Sequence, residues 1–574
     1  MRLVHQRAAK YYVRVSQACR QNWYAAVQRA QTVTFMSRVR KFVVTTIAMK
    51  HISYVSTRVS GVPRHRRLKS QSTTNQPTSW QKDAPVDQPN VLIEDPFTRS
   101  TLFTLDFFKR LAKFSFIGVV TLGITGCTVF EGIHMWVENV ALACDQDTEV
   151  RRWEWDHEAE KWSGGEKGGT DPALGFKGRH AVRSAWIAEN WGTGSGAIII
   201  GSNASSGRGS QGTGSLNVIE ARLEVAQKFM ALAISIAESK MPSGELRPQT
   251  LGELLARHAS ILERMGTRDA LLQARSRYER VWAGLPARDM DAARVALKLG
   301  DLDYRLGYFE DALAWWARTI TLTQGTQQVD PSAPQLTQTI PSSPCAQRTL
   351  ASTLVSLSAY YSTSGHLKQA QHVQESGLDF LRSIPSPSRI SAAYPPQALH
   401  SLFLLHRSSL LSIHLAEVLY ALRAAPEQSI QWLARAAESS ERVALALAGL
   451  PFAHPDAPGS AIPHPPASEA SLVPVYLKSN AMRKPAKGLL RDARRTAAEA
   501  WNLMGILRED EKDGGAERAL ECYERALGWA GVAADRSGGI GEPGEGTPEA
   551  EWKILWKNYV RVREVTRKNN RTLD

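Results

Sequence analysis

At 574 residues, with 43% apolar and 22% charged residues, the chain is too long for one hydrophobic core and ordinary in composition for a globular protein. A mean hydropathy of -0.28 argues against a polytopic membrane protein and leaves room for one span. The net charge of +14 would suggest nucleic acid, but residues 1–82 carry 16 Lys or Arg and no carboxylate, leaving 54 basic and 56 acidic residues elsewhere and no basic footprint for phosphates.

Residues 1–82 mix Arg, Ser, Thr, Gln and aromatics, the composition of a mitochondrial transit peptide. Positive charge suits import, because a negative-inside potential draws each charge inward by about 2.3 kcal/mol per 100 mV. No uninterrupted apolar run follows Met1, which disfavours a secretory signal. Residues 83–110 read as a linker.

Phe114–Phe130 is a 17-residue stretch without charge, and residues 111–137 read as a transmembrane helix with its flanks. Gly118, Gly123 and Gly126 suit close packing in a membrane. Lys109, Arg110 and Lys113 precede the stretch, Glu131 and Glu138 follow it, and Trp136 is placed for the interface. The positive-inside tendency puts the N-terminus in the matrix and the remainder in the intermembrane space.

Residues 138–215 read as an irregular segment rich in Trp and Gly, with Trp153, Trp155, Trp162, Trp186 and Trp191 among charges and a short helix around Ala181–Asn190. Gly207–Gly212 matches GxGxxG by letter. A strand-like run, Ala197–Ile200, ends seven residues before it, so a surface loop is the expected reading.

From residue 216 onward apolar residues recur at spacings of three and four, as helix, turn, helix. The clearest unit carries Gly300, Gly307, Ala312 and Trp316; a second carries Trp501, Gly505, Ala519, Tyr523 and Ala526; a third carries Gly365 and Ala370. Small residues let paired helices approach, Gly307 permits a tight turn, and Trp316 fills space between hairpins. Repeats are expected over 216–450 with an inserted loop at 324–347, then a Pro-rich linker 451–474. A C-terminal repeat at 475–535 precedes a Gly-rich loop and capping helix at 536–574. This spacing resembles the tetratricopeptide (TPR) pattern, so the fold class expected is all-α: a TPR-like helical-hairpin solenoid with one N-terminal transmembrane helix.

No HExxH, CxxC or GxSxG occurs. The five cysteines are scattered and expected to be free thiols, and His51, His65, His134, His157, His180 and His258 are isolated. Catalytic, cofactor and metal sites are therefore expected to be none. TPR solenoids bind protein segments along the face made by the first helix of each hairpin. Here that face would carry Arg294, Leu297, Asp301, Tyr304, Arg305, Asn502, Glu509 and Asp510.

The layout of basic leader, single span and degenerate repeats resembles a fungal group of mitochondrial inner-membrane TPR proteins that serve as adaptor subunits of the i-AAA protease. The resemblance implies a non-catalytic adaptor whose partners are an AAA protease complex and unfolded or misassembled membrane proteins, with no nucleic acid. An assembly factor for a respiratory or translocase complex is the alternative, and an enzyme with its site in residues 145–215 a third.

Overall fold

A computed structural model describes residues 96–192, 197–199, 218–287, 289–325, 339–450, 471–509, 511, 514–531 and 549–573. Residues 1–82 (expected to be a transit peptide), the GxGxxG match, Asp510 and most of the three inserted stretches lie outside them. Two compact units divide the described chain between Met135 and Trp136.

The first unit contributes most of α1 (Pro96–Trp136), an unbroken 41-residue helix. It starts earlier than the expected 111, because Pro96 suits a helix start and no helix breaker lies between it and the apolar stretch. Its most apolar stretch has mean hydropathy 1.7 and no buried residue. A Cβ added at Gly118, Gly123 or Gly126 would meet nothing.

The second unit opens with a π-turn at Val137–Ala141, then α2 (Thr148–Arg152), α3 (Trp155–Glu158) and α4 (Gly175–Trp191). A two-stranded antiparallel ribbon, β1 (Ala197–Ile199) with β2 (Val218–Glu220), leads into α5 (Ala221–Lys240). Next come α6 (Thr250–Met265), α7 (Arg268–Gly284), α8 (Met290–Leu306) and α9 (Phe309–Gln324). After these lie α10 (Pro344–Thr363), α11 (Leu367–Ser383), α12 (Pro395–Ala421) and α13 (Pro426–Ala448). The chain ends with α14 (Pro474–Leu477), α15 (Asn480–Arg508), α16 (Gly515–Trp529) and α17 (Glu549–Leu573).

Local chemistry sets these boundaries. The side chains of Thr267, Asp289, Ser343 and Ser479 cap α7, α8, α10 and α15 by accepting from the first turn's amides. At the other end Gly266, Gly307, Gly325 and Gly449 take left-handed conformations that stop α6, α8, α9 and α13.

The helices pair as α4–α5, α6–α7, α8–α9, α10–α11, α12–α13 and α15–α16, and each pair packs on the next in sequence. The apolar core follows suit. It is a chain of clusters, such as Leu262, Tyr278 and Leu302 across α6–α8, or Trp316, Leu354 and Leu415 across α9–α12. Helix α12 is also apolar enough to cross a membrane, but 67% of its apolar stretch is buried, so it is a core helix. Helix α17 packs on α16 through Leu555, Tyr559 and Val562.

Small residues face large rings within the hairpins. A Cβ on Gly300 would sit 2.6 Å from the Trp316 ring, and one on Gly505 2.8 Å from Tyr523. Ala312, Ala370, Ala519 and Ala526 are fully buried, Trp501 packs against the core, and Gly307 and Gly365 turn the chain at φ +92° and +81°.

One expectation needs correcting. Residues 138–215, expected to be irregular apart from a short helix around Ala181–Asn190, hold α2, α3 and the longer α4, and α4 is half of the first hairpin, so paired helices begin well before 216. Arg183 and Glu189 lie on the buried face of α4, and buried charge hides the amphipathic period.

Candidate functional site

The charged residues that disguise this region converge on one place. The segment Trp153–Trp162 lies against the N-terminal parts of α8, α10, α12 and α15 and the middle of α6, all first helices of their hairpins.

Arg348 on α10 is the centre. It is 1% exposed, donates to the carbonyls of Trp153 and Glu154 at 3.0 Å each, pairs with Glu158, and stacks 3.9 Å from the Trp155 ring. Trp155 is fully buried, and its indole N–H donates to the Pro396 carbonyl at 2.9 Å. The Glu154 carboxylate caps the start of α10, accepting from Ser343 Oγ and, at 2.9 Å, from the Cys345 amide.

His400 on α12 completes this corner. Its Nδ1 lies 3.1 Å from Arg348 Nη1, which can only donate, so Nε2 carries the proton and faces Gln347 Oε1 at 3.0 Å. Burial first, and the Arg348 charge second, push its pKa down to about 3, so the ring is neutral.

Toward α8, the Arg294 guanidinium donates to the His157 carbonyl, and Lys161 Nζ lies 3.2 Å from Asp291. His157 Nδ1 lies 3.8 Å from Asp291, and that carboxylate raises the imidazole pKa against the opposing effect of burial. Toward α6 and α15, Glu160 pairs with both Arg257 and Lys484. Arg257 stacks 4.4 Å from Trp162 and also pairs with Glu189, which Arg264 shares. Burial would raise the Glu189 pKa, but Arg257, Lys484 and Arg264 outweigh it and hold the carboxylate well below its usual range.

Both ends of the segment are tied. Asp145 accepts from Ser479, and Asn480 Nδ2 donates to the carbonyls of Val140 and Ala143 at 3.0 and 3.2 Å. On the other side Thr250 Oγ1 donates to Asp171 at 2.5 Å, and Arg247 Nη1 to the Gly164 carbonyl at 2.6 Å. The last hairpin and the hairpin opened by α6 are thereby joined through residues that sequence reasoning could not place.

The residues expected to form a protein-binding face bind neighbouring parts of this chain. Arg294 holds His157, and Leu297 packs against the α9–α12 cluster. Asp301 accepts from Trp316 Nε1 at 3.2 Å and Ser356 Oγ at 2.8 Å, and burial raises its pKa. Tyr304 meets Thr363 at 3.0 Å, and Arg305 lies 3.6 Å from Glu263. Asn502 accepts from Asn558, and Glu509 from Tyr523 and Arg561, both of the latter asparagine and arginine lying on α17.

One pair resembles a nucleophile and its base. Ser358 Oγ lies 2.9 Å from His414 Nδ1, and Gln374 Nε2 donates to the same oxygen at 2.9 Å. Ser358 is fully buried between α10, α11 and α12, so the pair serves as a core hydrogen-bond network, out of reach of a substrate. Among the described residues no group of three His, Cys, Asp or Glu is placed to hold a metal ion, and Cys127, Cys144, Cys345 and Cys522 are free thiols. No protein-family model matches this chain, and no curated protein matches it.

Proposed function

We propose that the chain is a non-catalytic adaptor of the mitochondrial inner membrane. In this reading α1 crosses the membrane once, with the N-terminus in the matrix, and the hairpins form a TPR-like solenoid in the intermembrane space. The solenoid binds an i-AAA protease complex and presents misfolded or unassembled membrane proteins to it. The observation that carries the reading is a 41-residue helix whose most apolar stretch is uncovered, joined to six helical hairpins that pack in sequence order. At 1.5 Å per residue the helix extends about 60 Å, ample for a hydrocarbon layer of about 30 Å. An array of hairpins offers long faces for other polypeptides and asks for no chemistry of its own.

Affinity purification in mild detergent tests it. Recovery of an AAA protease supports the adaptor, and recovery of a respiratory or translocase complex without a protease replaces it with an assembly factor. Protease treatment of mitoplasts tests the orientation: a C-terminal tag that survives once the outer membrane is opened contradicts it.

A further inference from the structure

We propose that the first helices α6, α8, α10, α12 and α15 together form a recognition site for a short polypeptide segment, folded as a turn and a single helical turn, that carries tryptophan and nearby carboxylates, and that residues 153–162 are its resident occupant. This rests on the reading of the array as a protein-binding device and names what it binds.

The contacts are those of peptide recognition. The array reads the segment's main chain: Arg348 takes the Trp153 and Glu154 carbonyls, and Arg294 takes the His157 carbonyl. Side-chain selection comes from Arg348 and Arg257, each stacked on an indole, Trp155 and Trp162. Within the segment the helix is a single four-residue turn, α3. Its partners are distant, 241 residues away for Trp155 and Pro396.

Charge defines the occupant. Four cations of the array, Arg257, Arg294, Arg348 and Lys484, face the segment, and three of them pair with Glu158 or Glu160. The start of α10 receives the third carboxylate, Glu154. A fitting partner therefore carries a tryptophan with carboxylates within a few residues on either side, in a stretch that can take one helical turn.

The array side persists without the occupant, because the hairpins pack on one another directly, α8 on α10 and α10 on α12. The ties at Asp145 and Asp171 let residues 146–162 lift away without release of the whole chain. An incoming segment then competes with the resident one for the same cations, and the affinity measured from outside is reduced by the fraction of time the site is open.

The test uses the full chain in detergent and a fluorescent peptide spanning residues 149–162, read by anisotropy. Trp155→Ala with Glu158→Gln weakens the resident segment and leaves the array side intact. This variant should bind the peptide about tenfold or more tighter than the unaltered chain. Adding Arg348→Met should abolish the gain. A weakened chain that melts cooperatively but binds the peptide no better overturns the proposal. If the variant does not fold, hydrogen exchange on the unaltered chain decides: the amides of 148–162 should exchange while α8 and α10 stay protected, and exchange of the segment only together with α10 overturns it. Neither measurement involves a protease, so failure to recover an AAA protease would leave this result standing, and the reverse holds too.

Discussion

The hairpin Met290–Gln324 and the segment Trp153–Trp162 each bury a tryptophan completely, Trp316 in one and Trp155 in the other. They do so by opposite means. Trp316 lies against Gly300 in the partner helix of its own hairpin, on apolar faces that recur with the helical period. Trp155 lies under a guanidinium from α10 and donates to a carbonyl at the start of α12, in a stretch with no period at all. The hairpin is a local solution; the segment is a long-range one, in which charge adds to an apolar cluster shared with Leu399 and Leu402. Each should therefore fail differently.

The largest expected effect is in the hairpin. Trp316→Ala empties a fully buried site and should cost about 3–5 kcal/mol, read as a lower denaturant midpoint with one cooperative transition. A loss confined to the segment, with the hairpins unaffected, would show that the two regions are not separable as described.

Next is Arg348→Met, which leaves the Glu158 carboxylate and two carbonyls without their donor. The cost should be about 3 kcal/mol. Because the loss is one of charge, adding Glu158→Gln should return part of it, and a double-mutant cycle measures the coupling. Additive losses would mean that Arg348 acts through packing on Trp155 alone.

Acid gives the third contrast. The pKa values of His400, His406 and His258 are pushed down by burial to about 3, 4 and 4. A histidine whose folded pKa lies below its unfolded value contributes stability that is complete above the unfolded value of about 6.5 and is lost as pH falls below it, by about 1.4 kcal/mol per pH unit per group. His400 faces Arg348, Gln347 and Trp153, so protonation would set two cations together at the segment's centre. Melting curves between pH 7 and 5 should show a shallower decline for His400→Gln, by about that amount per unit. An unchanged slope would place the acid sensitivity elsewhere.

The contrast also explains what was legible beforehand. Gly300 with Trp316, and Gly505 with Tyr523, stand at spacings that have one packing meaning, so the hairpins could be read. Helix α4 could be read only in part, because its inner face carries Arg183 and Glu189 where the pattern demands apolar residues. The partners of Trp155 and Glu160 are more than 90 residues away, and no local pattern encodes such pairing. Hydropathy alone is likewise blind to context: α1 and α12 both pass it, and only exposure separates an uncovered helix from a core one.

The smallest effect is also the finest test, because it compares backbone strain in the two regions. Gly307 turns the hairpin at φ +92° with nothing near its missing Cβ, so Gly307→Ala should cost only conformational energy, about 1 kcal/mol. Glu154 turns the segment at φ +54° although it is no glycine. Glu154→Gly should relieve about 1 kcal/mol of that strain and remove a carboxylate from the start of α10, a loss of similar size. The two substitutions therefore have different expected outcomes, a clear loss in the hairpin and little net change in the segment, both read from denaturant midpoints. If Glu154→Gly instead costs more than Gly307→Ala, the bonds from Ser343 and Cys345 outweigh the strain, and the segment is held at Glu154 more firmly than its conformation suggests.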